Sequence, residues 1–387
     1  MSPLNVPTPD SMAGEDVAIF RHAVGRFLDR NAPPEKVEQW RRDRLIGREL
    51  WTEAGKVALL GLSTAAEYGG VGGDFRHEVV LIEEIARRGV DGWGVSLHNA
   101  IVMPYIERYA AQEQKERWLP RLASGACIGA IAMTEPDAGS DLQAVRTTAR
   151  KTANGYLVNG SKTFITNGQA ANFIIVVAKT DLALGAKGIS LLVVETDDAV
   201  GFERGRNLDK IGLEAADTSE LFFNDVAVPA AHLLGPEEGR GFAQLMEQLP
   251  QERLIIAVQG MAMIERALAV TLDYVRQRHA FGRPLIDNQA VSFKLAECKT
   301  EATVAKVFVN HCVDRHLAGG LDAATASMAK YWVTDLQNRI IDECLQLHGG
   351  YGYMNEYPIA RMFKDARAAR LYGGTNEIMK ILIARTL

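Results

Sequence analysis

The chain has 387 residues, with 43 basic and 48 acidic side chains and a net charge of −5; a chain this long is expected to fold as two or three packed units. It has no basic block and no basic patch interleaved with aromatics, so nucleic acid is not an expected partner. No apolar run approaches the roughly 20 residues of a bilayer span, and Met1 to Phe20 carries Asp10, Glu15 and Asp16 without a basic residue, unlike a secretory signal or transit peptide. The expected location is the cytoplasm, or the mitochondrial matrix if a transit segment has been removed.

From Asp16 to about Cys127 apolar residues recur every three or four positions, as in Val17-Ala18-Ile19-Phe20 with Val24 and Phe27, and Val79 to Ile82 with Ile85, which predicts an all-α unit over 1–127. The cluster Gly69-Gly70-Val71-Gly72-Gly73 breaks it as a loop, either a plain connection or a ligand-facing one. Over 128–237 the period becomes two, with β-branched runs at Phe173 to Val177 and Ile189 to Val194 punctuated by Asn154-Gly155, Asn159-Gly160 and Asn167-Gly168. These predict a compact antiparallel β unit, and the lack of crossover helices argues against a doubly wound dinucleotide fold. Over 238–387 the helical period returns from Pro250 to about Gln277, Gln289 to Leu317, Ala323 to His348, and from about Asn376; Met328, Trp332 and Leu336 are spaced as a bundle seam would be. The fold class is therefore α+β, ordered α, β, α.

Cys127, Cys298, Cys312 and Cys344 form no Cys-x-x-Cys pair and read as buried thiols in a reducing compartment. No histidine spacing suits a metal, since His311 and His316 fall on different helix faces. Gly155 to Lys162 imitates a phosphate-binding loop, but the serine precedes the lysine and the segment reads as a hairpin. There is no Gly-x-Ser-x-Gly elbow and no Gly-x-Gly-x-x-Gly after a strand.

The informative tract is Ala132-Met-Thr-Glu-Pro-Asp-Ala-Gly-Ser-Asp141, where Thr134 and Ser140 offer short donors and Gly139 permits close backbone approach. Two further stretches share its chemistry: Gln346-Leu-His-Gly-Gly-Tyr-Gly-Tyr353, which runs on to Asp365, and Tyr372-Gly-Gly-Thr-Asn-Glu377. Their glycines serve either as helix C-caps or, with the N-terminus of the following helix, as a diphosphate cradle.

With these motifs in this order the chain resembles the acyl-CoA dehydrogenases, a flavoprotein family. Ala132 to Ala144 and Gln346 to Asp365 match the two family signatures, and Gly129 to Thr134, Leu249 to Leu254 and Ala329 to Trp332 are most like the long-chain branch. The resemblance implies the family fold: an N-terminal helical domain, a central antiparallel β-barrel-like domain and a C-terminal four-helix bundle. It implies FAD, an acyl-CoA thioester substrate, an electron-transfer flavoprotein as partner, and a homotetramer built as a dimer of dimers. Met133, Thr134, Phe164 and Thr166 would line the flavin, with the Thr166 hydroxyl near N5, and Ser140 would contact the flavin phosphate or the pantetheine arm. Arg278, Phe281, Gln289, Gln346, Gly349 and Gly350 of a second subunit would hold the pyrophosphate and adenine, while Thr375 and Glu377 would serve the same subunit's dinucleotide.

The reaction removes an α-proton to a carboxylate and a β-hydride to the flavin, with donors holding the thioester oxygen. Many relatives carry the base directly after the residue matched by Tyr372, where this chain has Gly373. The resemblance to the long-chain and isovaleryl branches moves the base to Glu252, with Arg253 and Tyr372 beside the substrate and the Gly373 N–H, with a ribityl hydroxyl, as the oxygen's donors. Pro250 at a helix start would put Glu252 in a first turn, which suits a merely structural acid as well. Leu249, Leu254, Ile255 and Ile256 would raise its pKa, whereas the helix dipole and Arg253 would lower it, and the sequence does not decide which dominates. The acyl pocket is expected near Ser96 to Tyr105 and along the helix after Glu252. Two alternatives are a flavin oxidase or monooxygenase on the same scaffold and a catalytically inactive binding protein.

Overall fold

Helix boundaries follow the local chemistry in the computed structural model, which describes residues 3–387. Helix α1 spans Glu15–Asn31, α2 Pro34–Asp43 and α3 Arg48–Lys56; α2 starts with proline at its first position, where no N–H is needed. Helix α4 (Phe75–Arg88) is opened by an Asp74–His77 capping box and closed by Gly89 at φ 69°. The glycine cluster before it folds back on its own chain, with the N–H groups of Val71, Gly72 and Gly73 bonded to the carbonyls of Gly61, Thr64 and Leu62. The next rod is interrupted: α5 (Val95–Leu97), a π-helical turn (His98–Val102) and α6 (Met103–Tyr109), followed by α7 (Gln112–Ala123).

The strands are β1 (Gly129–Ala132), β2 (Thr148–Thr152), β3 (Gly155–Thr166), β4 (Phe173–Lys179), β5 (Ile189–Glu195), β6 (Phe202–Asn207) and β7 (Thr218–Pro229), and the described residues join them in one sheet. The sheet is not antiparallel throughout, as the sequence suggested. β1 runs parallel to β4, Gly129 against Phe173 through Ala132 against Val176, and β2 meets β4 in parallel at Thr148 and Lys179. Both β1 and the apolar part of β4 are buried on both faces, the burial pattern typical of parallel pairing. Of the Asn-Gly signals, Asn154-Gly155 does turn β2 into β3. Asn159-Gly160 lies inside β3 at a register break, and Asn167 follows β3 at φ 63°. A second break in β3, between Lys162 and Ile165, leaves Phe164 at φ 59°; such bulges re-aim side chains.

The last unit is α8 (Gly241–Gln277), a short hairpin of β8 (His279–Ala280) and β9 (Arg283–Pro284), α9 (Gln289–Leu317), α10 (Ala323–Leu347), α11 (Pro358–Ala366) and α12 (Asn376–Ala384). α8 starts at Gly241 and carries Pro250 inside it, so Pro250 does not open a helix and Glu252 is not in a first turn. The seam of α10 is Ala326, Ala329, Val333, Leu336 and Ile340; Met328 is 37% exposed and Trp332 is half-buried edge-on to Phe308. The small residues let α8 approach closely, since a Cβ on its Gly260 would stand 3.2 Å from Val333. Among the described residues α8 alone is long and apolar enough to cross a membrane, but most of that stretch is buried in the protein. All four cysteines are buried and unpaired, and no His, Cys, Asp and Glu grouping among the described residues suits a metal.

Where the three regions meet, buried Asp365 of α11 accepts the Leu213 N–H and lies 3.7 Å from the Arg41 guanidinium of α2. Glu214 bridges Arg41 and Lys364. The final acid of the second signature is thus a junction residue tying helical and β regions together.

Candidate active site

Four groups of residues emerge. The first is the tract after β1. Met133 and Thr134 are half-buried, and the Thr134 carbonyl accepts the Thr163 N–H at 2.9 Å, which sets the tract beside the bulge of β3. That juxtaposes Met133 and Thr134 with Phe164, 67% exposed, and half-buried Thr166; Ser140 is exposed at the end of the turn. Beneath the tract lies an ion pair that sequence reasoning missed. Lys162, fully buried, donates to Glu135 Oε1 at 2.8 Å, the Val177 carbonyl at 2.7 Å and the Met133 carbonyl at 3.1 Å. Glu135 also accepts the N–H groups of Arg146 and Thr147. The lysine dismissed with the imitation phosphate loop therefore fixes the backbone of the informative tract.

The second group surrounds Glu252, which is 6% exposed. Burial pushes its carboxyl up to about 7, against the opposing hydrogen bond from Tyr105 and the charge of Arg253. Desolvation outweighs the two opposing influences, and Glu252, twelve residues into α8, lies beyond the reach of the helix dipole. Tyr105 of α6, itself fully buried, donates to Glu252 Oε1 at 3.0 Å. Tyr105 stood only at the edge of the expected acyl pocket, because no sequence spacing brings α6 onto α8. Arg253 is buried, its Nη1 reaching Ser327 Oγ at 3.4 Å, while its Nε has no partner among the described residues.

Gly373 stands on the same face. A Cβ there would overlap Ile256 Cδ1, and Ile256 is one helical turn beyond Glu252. Gly373 and Gly374 have φ of 66° and 86°, a left-handed turn that disfavours side chains. The glycine turn thus lies against Ile256, one helical turn from Glu252 on α8. Tyr372 precedes the turn, 38% exposed.

The third group lines a cavity of about 620 Å³ containing Arg278, Gln346, Gly349 and Gly350, with Tyr274 and Tyr351. The Arg278 guanidinium lies over the Tyr351 ring, and a Cβ on Gly349 or Gly350 would meet nothing within 4 Å, so open backbone and a cation face the space. Phe281 and Gln289 do not line it. Phe281 is 97% exposed at the tip of the β8–β9 hairpin, and Gln289 is exposed at the start of α9. No residue of the first two groups lines this cavity. In the fourth group Thr375 caps α12, its hydroxyl accepting the Ile378 N–H, and Glu377 is exposed in the first turn. A cavity with a cation and bare glycine backbone, together with a capped helix N-terminus, suits the diphosphate and adenosine of FAD.

Comparison with known proteins identifies the family. Family models match along the chain: "Acyl-CoA dehydrogenase, N-terminal domain" over 14–126, "middle domain" over 130–226 and "C-terminal domain" over 239–387. The chain is 50% identical over 371 residues to the mitochondrial long-chain specific acyl-CoA dehydrogenase of Sus scrofa, covering 95% of this chain and 86% of that one. It superposes with TM-score 0.94 on an acyl-CoA dehydrogenase from Geobacillus kaustophilus, 47% identical, over 96% of this chain and 98% of that one. A glutaryl-CoA dehydrogenase from Mycobacterium smegmatis solved with FADH2 matches with TM-score 0.91 at 30% identity, over 100% of this chain and 97% of that one. The chain belongs to the acyl-CoA dehydrogenase family of FAD-dependent oxidoreductases.

Proposed function

We propose that the protein converts an acyl-CoA to its trans-2-enoyl-CoA with Glu252 as the base, in fatty-acid or branched-acyl degradation, and passes the electrons to an electron-transfer flavoprotein. The observation that carries this reading is the buried Glu252 carboxyl, held at about 7 and bonded to Tyr105, next to a turn with no side chain at 373. A base poised near neutrality suits removal of a weakly acidic α-proton. Glu252 takes that proton; the Gly373 N–H donates to the thioester oxygen as negative charge gathers there. Arg253 and Tyr372 border the thioester, and Met133, Thr134, Phe164 and Thr166 form the cofactor wall, with Ser140 at its rim. Bound FAD supplies the acceptor for the β-hydride, so one proton and one hydride leave the substrate for each double bond formed.

Arg278, Gln346, Gly349 and Gly350, with Phe281 and Gln289 nearby, serve the pyrophosphate and adenine of a second subunit's FAD, while Thr375 and Glu377 serve their own. The reading is supported by the separation of the 620 Å³ cavity from Glu252 within one chain and by the almost complete exposure of Phe281. It makes the protein at least an obligate dimer, which the family resemblance extends to a homotetramer built as a dimer of dimers. The four buried thiols suit a reducing compartment such as the cytoplasm or the mitochondrial matrix. The acyl pocket runs from the π-helical turn along α8, where Gln251 Nε2 donates to the Ala100 carbonyl at 2.7 Å; π-turns often mark functional sites.

The test is to add acyl-CoAs of graded length and branching to the yellow protein without oxygen. Bleaching with stoichiometric 2-enoyl-CoA is expected. Rapid peroxide formation in air would favour an oxidase, and a colourless protein that takes up no FAD would favour an inactive binding protein.

A further inference from the structure

The Gly373 turn is held by a side chain that none of the foregoing uses. Lys330 of α10 is fully buried, and its ammonium donates to the Gly374 carbonyl at 2.7 Å and to Asn376 Oδ1 at 2.8 Å. Asn376, also buried, donates in turn to Asp335 Oδ1 at 2.9 Å, Thr334 Oγ1 at 3.0 Å and the Tyr331 carbonyl at 3.2 Å. An ammonium buried in a helix bundle is costly unless its donors are met. Here both acceptors belong to the segment that follows Gly373. The Gly374 carbonyl lies two peptide planes beyond the Gly373 N–H, so holding it together with Asn376 pins the far end of the two-glycine turn and narrows the orientations open to the Gly373 N–H.

We propose that Lys330 is a positioning residue for the reaction: by clamping the Gly374 carbonyl and Asn376 it aims the Gly373 N–H at the thioester oxygen and fixes the start of α12. The inference rests on the Gly373 role proposed above. The groups facing the ammonium are Arg253 of α8, Asp335 of its own helix, Glu377 of α12 and Arg370 of the preceding turn. Burial, then the repulsion of Arg253, brings Lys330 down to about 8, against Asp335 and Glu377. The clamp thus weakens as pH rises past about 8.

The test uses Lys330→Met and Lys330→Gln holoenzymes, followed by anaerobic flavin bleaching. The expected result is a fall in the bleaching rate constant on the order of tenfold to a hundredfold, larger for Met than for Gln, with FAD content and acyl-CoA affinity within about threefold of wild type. A 3-thiaacyl-CoA, whose bound α-carbon acidity reports stabilisation of the thioester oxygen, should titrate at higher pH in both variants. A rate within twofold of wild type, or a loss matched by FAD release with the thiaacyl titration unmoved, overturns the inference and leaves Lys330 a fold staple. If neither variant folds, the wild-type rate decides: a plateau from pH 7.5 to 9.5 overturns the clamp, and a decline centred near 8 supports it. Failure of Glu252 as base would appear separately, as undiminished bleaching in Glu252→Gln.

Discussion

The hydroxyl of Tyr105 donates to Oε1 of Glu252 at 3.0 Å inside a fully buried contact between α6 and α8. Such a bond favours the carboxylate over the acid. Because Glu252 must be ionised to accept a proton and burial holds it at about 7, the rate should rise with pH through about 7 and be lost below. In Tyr105→Phe the carboxylate loses its donor, and the acid limb of the bleaching rate should move up by about one pH unit. A rate profile between pH 5.5 and 9 checks this, and an unmoved or lowered midpoint counts against it.

Lys162→Met should loosen the cofactor wall. Burial alone would raise the Glu135 carboxyl, yet the Lys162 ammonium leads the groups that hold it below its ordinary range. Without that ammonium Glu135 is a buried acid short of its partner, and the Met133 carbonyl loses a donor. Reconstitution of apoprotein should show FAD binding weakened by about tenfold or more. Unchanged affinity would confine Lys162 to general stability.

Asp365→Ala removes one of the two carboxylates beside the buried Arg41, which keeps Glu214, and the acceptor of the Leu213 N–H. Chemical denaturation should show a loss of about 2 kcal/mol, with the pH midpoint of bleaching unmoved because Asp365 does not touch Glu252. A shifted midpoint would mean that the junction reaches the site.

The shared cofactor site predicts complementation between subunits. Arg278→Ala and Glu252→Gln should each be inactive alone. Co-expressed, their mixed dimers carry one intact site each, and random pairing gives about a quarter of wild-type activity. No recovery in purified mixed oligomers would place the whole cofactor site within one chain.

Much of this was legible in the sequence because its signals are local. The change of period from 3.6 to 2 and back marked the three regions, and the two glycine-bearing signatures carried the family. The start of α8 was misread because Pro250 is a strong local breaker, whereas α8 runs through it, held by packing on both sides. The parallel pairing of β1 with β4 depends on a register 44 residues apart that no turn signal records. Lys162 and Lys330 were invisible as site residues, and Tyr105 stood only at the edge of the expected acyl pocket, for one reason: each bonds a carbonyl or carboxylate brought to it by a different element, and such contacts leave no spacing behind.

The central claim is tested most directly by Glu252→Gln, which keeps the shape of the side chain and removes the base. Purified with its FAD and mixed with acyl-CoA without oxygen, it should stay yellow, with bleaching slowed by at least about a hundredfold. Rapid bleaching of that variant would contradict the assignment of Glu252 as the base.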